Sequence, residues 1–347
     1  MPQIFESDSA DDAWRQAANT LLGGLDRELQ DSRCGKTQEL LHVNFHINNP
    51  RQRWVLSRQP GINPAFAIAE VFWILAGRND SKFINYWNPE LPKFAGRDDK
   101  YHGAYGYRLR RQFEFDQLER AFTVLDRNPI SRQVILQIWD PQSDFPRVDG
   151  SPVSEDIPCN VCSMLKVRGG RLEWMQIMRS NDLFLGTPYN FVQFTMLQEI
   201  IAGWLGLEMG AYCHLSDSLH IYETYNEQVD KYSVAKMAPA TTNPDRLGLP
   251  KADFDITLRK VMGILEEFTD PDLSTTKFED LCALNELAEA YRNLVLVVAA
   301  DSARRRMVID STRHIEWKVN MDRAAARCTN PMLRLAWEGW SHRHVRV

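Results

Sequence analysis

Residues 156–190 constrain the fold of this chain more than any other segment. Two apolar stretches, 161–167 and 172–178, are separated by Gly169-Gly170. Strands of this length joined by a tight glycine turn form an antiparallel hairpin, and the two open ends of a hairpin lie side by side. The segment therefore predicts a β-hairpin whose open end lies at one edge of a sheet.

Polar residues stand at the open end of this predicted hairpin. Cys159 precedes the first strand and Arg179 follows the second, with Ser180, Asp182 and Asn190 close behind. A neighbouring guanidinium favours the thiolate, which is the reactive form of cysteine. Polar side chains held at the ends of apolar elements are typical of a functional site. We interpret Cys159 as a candidate nucleophile and Arg179 as its activator.

Three motifs in the chain resemble the folate-dependent thymidylate synthase superfamily, which includes the deoxypyrimidylate hydroxymethylases. They are Pro158-Cys159, the run Arg179-Ser180-x-Asp182-x-Phe184-Leu185-Gly186-x-Pro188-x-Asn190, and Leu219-His220-Ile221-Tyr222. The resemblance covers roughly residues 10–230. It implies an α+β, two-layer fold of the thymidylate synthase type, in which a mixed β-sheet at a dimer interface is covered by helices.

The chain beyond the resemblance is charged, with mixed helical periodicities over residues 256–268, 281–301 and 322–340. We therefore predict a thymidylate-synthase-like catalytic domain over residues 1–235. A helical extension over residues 236–347 is expected to complete that domain or to pack on it.

Glu70 is the only ionisable residue of a predicted helix that Asn63-Pro64 opens and Gly77 ends. Because the helix is apolar on all sides, we expect it to be buried and the pKa of Glu70 to be raised. Such a carboxyl group is either paired structurally or functional. The resemblance implies the second role, as the glutamate that relays protons to O4 of the pyrimidine.

The resemblance also implies a set of substrate ligands. Arg33, Arg132, Arg179 and Ser180 would bind the phosphate, although Arg33 taken alone is equally typical of a solvated turn. His220 and Tyr222 are two apart and so share one face of an extended segment, and the resemblance implies that they hold the 3′-hydroxyl of the sugar. Arg132 would reach the phosphate of the neighbouring subunit in an obligate homodimer.

For the cosubstrate, 5,10-methylenetetrahydrofolate, the resemblance implies contacts with Trp87, Asp182 and Gly186, with Asp182 meeting the pterin and Tyr105 lining the base pocket. For either aromatic residue alone, core packing is the simpler interpretation. A second tryptophan usual in synthases is absent, and Glu90 stands near its expected place. No metal is expected.

Asn190 bears on the choice of base. Its carboxamide can accept from N3–H and donate to O4, which matches uracil, whereas the cytidylate enzymes of the family carry Asp here. Asn160 replaces a histidine that commonly follows the nucleophile in synthases. We place methylation of dUMP to dTMP slightly first. The alternative is 5-hydroxymethylation of dUMP, or of dCMP or CMP, with water in place of hydride.

Bulk properties exclude other classes. A net charge of −5 argues against a broad nucleic-acid surface, and no apolar run approaches the length of a membrane span. Six scattered cysteines without an N-terminal signal segment indicate a cytoplasmic protein. Two competing interpretations are a metal or redox site at Cys159-x-x-Cys162 and a degenerate nucleotide- or RNA-binding module.

Overall fold

The computed structural model describes residues 3–23, 29–32, 35–225 and 242–342. Its strands are β1 Ile4–Ser7, β2 Gln30–Ser32, β3 Gly35–Ile47, β4 Ile135–Gln137, β5 Asn160–Arg168, β6 Arg171–Met178, β7 Asn181–Asp182 and β8 Glu208–Tyr222. The helices up to the sheet's last strand are α1 Ala10–Leu22, α2 Pro64–Leu75, α3 Ser81–Trp87, α4 Pro92–Ala95, α5 Tyr105–Tyr107, α6 Gln117–Arg127, α7 Pro141–Asp144 and α8 Thr187–Trp204. After β8 follow α9 Lys251–Thr269, α10 Thr275–Leu281, α11 Glu289–Ile309, α12 His314–Arg327 and α13 Pro331–Ser341.

The strands form one mixed sheet in the order β1-β3-β8-β6-β5-β4, with β2 paired to β3 and β7 paired to β8. Strands β5 and β6 are antiparallel and joined at Gly169 and Gly170, whose φ angles are 55° and 72°. Two successive positive φ angles are typical of a two-residue hairpin turn whose backbone twist matches that of the flanking strands. The predicted hairpin is confirmed, and the helix-covered mixed sheet confirms the α+β class.

Helix α2 begins where the sequence predicts, because the Asn63 side chain accepts hydrogen bonds from the backbone N–H groups of Ala65 and Phe66. Every residue of α2 except Glu70 is buried. The helix needs apolar side chains on all sides because it packs between α8 and the later helices α9, α11 and α13. This places Glu70 against α8, the helix that also carries Asn190.

The helices after β8 share one continuous hydrophobic core with the sheet and α2. The segment before α9 is fixed to α8 through Glu199 and to α11 through Tyr291. Leu247 donates its backbone N–H to Glu199 over 3.1 Å and accepts from the Tyr291 hydroxyl over 2.6 Å. Gly203 of α8 meets this segment so closely that a Cβ atom there would lie 2.6 Å from the backbone nitrogen of Leu249.

Some predicted element boundaries were wrong. Residues 131–139 are rich in β-branched side chains and on that ground predict a strand, but only the short β4 forms there. The helical periodicity over 281–301 crosses a break, since α10 ends at Leu281 and α11 begins at Glu289. The periodicity over 322–340 is divided between α12 and α13, because Asn330 caps a new helix with its side chain. None of the helices in the described ranges has both the length and the apolar character needed to cross a bilayer.

Candidate active site

Cys159 lies immediately before β5, at the open end of the β5–β6 hairpin. Its backbone carbonyl accepts from the backbone N–H of Arg179 over 2.9 Å, so the two residues are neighbours as the hairpin predicted. The Arg179 guanidinium donates to the carbonyls of Pro158 over 3.0 Å and Ile157 over 3.1 Å. Arg179 therefore fixes the backbone that leads into Cys159, whose thiol is half-buried.

Tyr105 lies near both Cys159 and Glu70, and we call these three residues the cysteine cluster. The Tyr105 hydroxyl is within electrostatic range of the Cys159 thiol and of Glu70, and burial raises its pKa well above the usual value. Burial also raises the pKa of Glu70 to about 7, although a hydrogen bond from Gln193 Nε2, 2.5 Å long, acts in the opposite direction. Near neutral pH, Glu70 is therefore able both to donate and to accept a proton.

Asn160 follows the thiol and faces the Tyr105 hydroxyl. Its carboxamide oxygen accepts from Gln176 Nε2 over 2.7 Å, and the oxygen of Gln176 accepts from Ser163 and from the Trp174 indole. Asn160, Ser163 and Gln176 are completely buried. A polar network inside the sheet thus ends at the cysteine cluster.

A second network holds Asn190, and we call it the carboxamide chain. Asn190 Nδ2 donates to Asn181 Oδ1 over 3.1 Å, Asn181 Nδ2 lies 3.0 Å from His214 Nε2, and the Tyr212 hydroxyl lies 2.8 Å from His214 Nδ1. Burial lowers the pKa of His214 to about 3, so the imidazole is neutral. Because Asn190 Nδ2 faces Asn181, its Oδ1 points away from Asn181 and is placed to accept a hydrogen bond from a ligand.

Asp182 provides the feature that fits a folate. Its Oδ1 accepts from the backbone N–H groups of Phe184 over 2.7 Å and Leu185 over 2.5 Å. Its Oδ2 is buried and has no hydrogen-bond partner among the described residues, and burial raises the pKa of this carboxyl. An unsatisfied buried carboxylate oxygen is suited to a heterocycle that presents N–H donors, as a pterin does.

The other expected cosubstrate contacts are placed differently. Gly186 precedes α8, where a Cβ atom would lie 3.3 Å from the Asp182 carbonyl. The Trp87 ring is fully buried, 4.8 Å from the Tyr86 ring, so here it packs in the core. Its indole N–H lacks an acceptor within the part of the chain that the structure describes.

The expected phosphate and sugar ligands are distributed along the sheet. His220 and Tyr222 share one face of β8, with their rings edge to face at 5.6 Å. Ser180 is half-buried next to Arg179, whereas Arg132 is exposed just before β4. Arg33 lies outside the described residues.

Several residues of these networks were not identified from the sequence. Gln193 stands one helical turn after Asn190 on α8, and a polar residue on a buried helix face is a signal that could have indicated it. Arg58 is buried, donates to the Phe184 carbonyl over 2.7 Å and covers the Phe184 ring at 4.0 Å. No sequence pattern pointed to Arg58, because its partners are distant along the chain.

Comparison with known proteins agrees with this geometry. The family model described as thymidylate synthase matches residues 26–255. This chain belongs to the thymidylate synthase family. The match confirms the predicted family. It includes every described site residue named above, whereas α10 to α13 lie beyond the matched range.

This chain is similar to two phage proteins that are named deoxyuridylate hydroxymethyltransferase. The one from Bacillus phage SP01 is 31% identical over 67% of this chain and 65% of its own length. The one from Pseudomonas phage M6 is 33% identical over 56% of this chain and 53% of its own length. A thymidylate synthase from Clostridium beijerinckii is 28% identical over 63% of this chain and 79% of its own length. The chain thus spans between about half and two thirds of the length of these phage relatives.

Proposed function

We propose that this chain transfers a one-carbon unit from 5,10-methylenetetrahydrofolate to C5 of dUMP through a covalent adduct between Cys159 and C6, and that the product is the 5-hydroxymethyl nucleotide. The observation that carries the proposal is the cysteine cluster, in which the Tyr105 phenol lies near both the Cys159 thiol and the Glu70 carboxyl, whose pKa is near 7. These are the groups that such a transfer requires.

The proposed chemistry begins with the weak nucleophilicity of C5. Addition of the Cys159 thiolate to C6 makes C5 an enolate carbon that can attack the one-carbon unit, which divides one difficult step into two easier ones. Negative charge develops on O4 as the thiolate adds, and Glu70 is placed to supply or remove a proton there. Arg179 holds the backbone on which the thiol is presented.

The choice of base and of product rests on separate observations. The orientation of Asn190 within the carboxamide chain suits the N3–H of uracil. For the product, two of the relatives described above are named deoxyuridylate hydroxymethyltransferases, and this favours water as the second reactant. The second candidate, which the sequence placed first, is methylation to dTMP. The name of the Clostridium relative favours it.

The remaining residues are proposed to bind the substrates. Ser180, Arg132, Arg179 and Arg33 would hold the phosphate, His220 and Tyr222 the sugar, and Asp182 with Gly186 the folate. Arg132 is exposed, which agrees with a role in the site of a second copy in a homodimer. Binding energy from phosphate and sugar, far from C5, would orient the ring for the reaction.

The test uses dUMP labelled with tritium at C5 together with methylenetetrahydrofolate. We expect tritium release and a 5-hydroxymethyl product without dihydrofolate, whereas dihydrofolate formation would identify methylation. Cys159→Ser is expected to lower turnover more than about 1000-fold, as losses of covalent nucleophiles do. Cys213→Ala, which removes another half-buried thiol, serves as the matched control and is expected to retain activity. Undiminished activity of Cys159→Ser would refute the covalent adduct.

A further inference from the structure

In the network that ends at Asn160, the oxygen and nitrogen of each carboxamide can be assigned in only one way, because the network begins with the N–H donor of a tryptophan. The Trp174 Nε1–H donates to Gln176 Oε1 over 3.2 Å. An indole nitrogen only donates, so the oxygen of the Gln176 carboxamide has to face Trp174. The Ser163 hydroxyl donates to the same oxygen over 2.6 Å. Gln176 therefore directs its nitrogen toward the start of β5.

The orientation of Asn160 follows from that of Gln176. Gln176 Nε2 donates to Asn160 Oδ1 over 2.7 Å and to the Cys162 carbonyl over 3.2 Å. With its oxygen occupied, Asn160 turns its Nδ2 toward the Tyr105 hydroxyl. This Nδ2 is shielded from solvent and has no acceptor in good geometry among the residues that the structure describes.

A buried donor without a well-aligned acceptor destabilises a folded chain by about 1–3 kcal/mol. Here the donor lies at the cysteine cluster and not at a random point in the core. Hydrogen bonds of catalytic sites are often loosely aligned before substrate binds and tighten in the reacting complex. The combination indicates a donor reserved for the reaction.

We propose that Trp174 and Gln176 are positioning residues that hold Asn160 as a donor to the Tyr105 oxygen, and that Tyr105 thereby directs its own hydroxyl hydrogen to the water molecule that completes the reaction. This inference rests on the proposed function. It adds that buried residues of the sheet, and not the substrate, orient the water molecule.

After tetrahydrofolate has left, C5 carries an exocyclic methylene group and C6 carries the Cys159 sulfur. The water accepts a hydrogen bond from Tyr105, its oxygen forms a bond to the methylene carbon, and its proton passes to Glu70. The displaced electron pair moves through the ring, re-forms the C5–C6 double bond and breaks the bond from C6 to sulfur. The thiolate is regenerated and the hydroxymethyl nucleotide is released.

The test compares two buried glutamines. Gln176→Leu removes the positioning residue. Gln198→Leu removes an equally buried glutamine whose Nε2 bonds only to backbone carbonyls, and so controls for the loss of core polarity. The readout is the rate of hydroxymethyl product formation divided by the rate of tritium release from C5 of dUMP, measured in a single turnover with enzyme in excess over dUMP. A general loss of stability or of substrate binding lowers both quantities and leaves their ratio unchanged.

We expect this ratio to fall by about tenfold or more in Gln176→Leu, the usual effect of misplacing a reacting group, and to stay at the wild-type value in Gln198→Leu. Trp174→Phe removes the anchoring N–H together with part of the ring, is expected to lower the ratio less, and replaces Gln176→Leu if that variant does not fold. Unchanged ratios in both Gln176→Leu and Trp174→Phe would overturn the inference. So would dTMP as the wild-type product, whereas absence of tritium release in the wild type would overturn the proposed function as well.

Discussion

Glu70 shows how strongly one residue depends on its surroundings. It is the only residue of α2 that is not buried as a whole, yet its carboxyl lies deep enough that its pKa rises to about 7. In the folded chain the group keeps its proton between about pH 4.5 and pH 7, where an unfolded chain has lost it. Its ionisation therefore opposes folding increasingly as the pH rises through that interval.

Glu70→Gln should remove this dependence while retaining an acceptor for Gln193. We expect the stability of the variant relative to wild type to increase between about pH 4.5 and pH 7, by up to about 3 kcal/mol, and to stay constant above that range. Urea unfolding at a series of pH values measures it. For Glu199, burial acts to raise the pKa but Arg53 lowers it overall, so the stability of Glu199→Gln relative to wild type should fall as the pH rises toward about 4.5 and stay constant above it. A pH-independent difference for Glu70→Gln would contradict the burial of that carboxyl.

The carboxamide chain makes a prediction about base selection. Asn181→Leu keeps the volume but removes the oxygen that orients Asn190, whose carboxamide can then rotate. We expect the preference for dUMP over dCMP, measured as the ratio of kcat/KM values, to fall about 3- to 10-fold, the value of one hydrogen bond.

Ser216→Ala is the matched control, because it removes a second acceptor of Asn181 and leaves the contact with His214 intact. Its nucleotide preference should change little. Equal decreases of kcat/KM for dUMP and dCMP in Asn181→Leu would show that the carboxamide chain stabilises the site without discriminating between the bases.

At the scale of elements, the β5–β6 hairpin determines where the site lies. The sequence was sufficient for this hairpin, since apolar strands and a glycine pair fix both its register and its open end. Hence Cys159 and Arg179 could be placed together without a structure. The positions of Trp174, Gln176 and Asn160 could not, because their contacts depend on strand register and side-chain rotamers that residue spacing does not encode.

The later helices show the opposite limit. Apolar residues continue through the break between α10 and α11, so periodicity alone joined two elements. The start of α13 was recognisable in Asn330-Pro331, a cap followed by proline, but that signal was outweighed by the surrounding helical pattern.

The hairpin turn can be tested against a second glycine. Gly170 has a φ of 72° with no neighbouring atom within reach of an added Cβ, so Gly170→Ala tests backbone strain alone. We expect it to lower the free energy of unfolding by about 1–2 kcal/mol. Gly263 lies inside α9 with equally open surroundings, and Gly263→Ala should raise stability by about 1 kcal/mol through helix propensity. Urea unfolding midpoints that shift in the same direction for both variants would contradict this explanation.

At the scale of the whole molecule, the proposed homodimer predicts shared sites. Arg132→Ala and Cys159→Ala are each expected to abolish most activity. If Arg132 serves the partner's site, mixed dimers contain one site with both lesions and one intact site. After the two variants are unfolded and refolded together, about a quarter of wild-type activity should return. A mixture as inactive as its components would show that each copy completes its own site.

The contact between Gly203 and the segment before α9 joins the helix that presents Asn190 to the part of the chain that leads into the later helices. A methyl group at position 203 would force α8 apart from the loop segment that packs on it. The displaced helix is the one that presents Asn190 and Gln193. The later part of the chain thus restrains the position of the reacting groups on α8. The space between α8 and the segment before α9 is too small for even one added carbon atom.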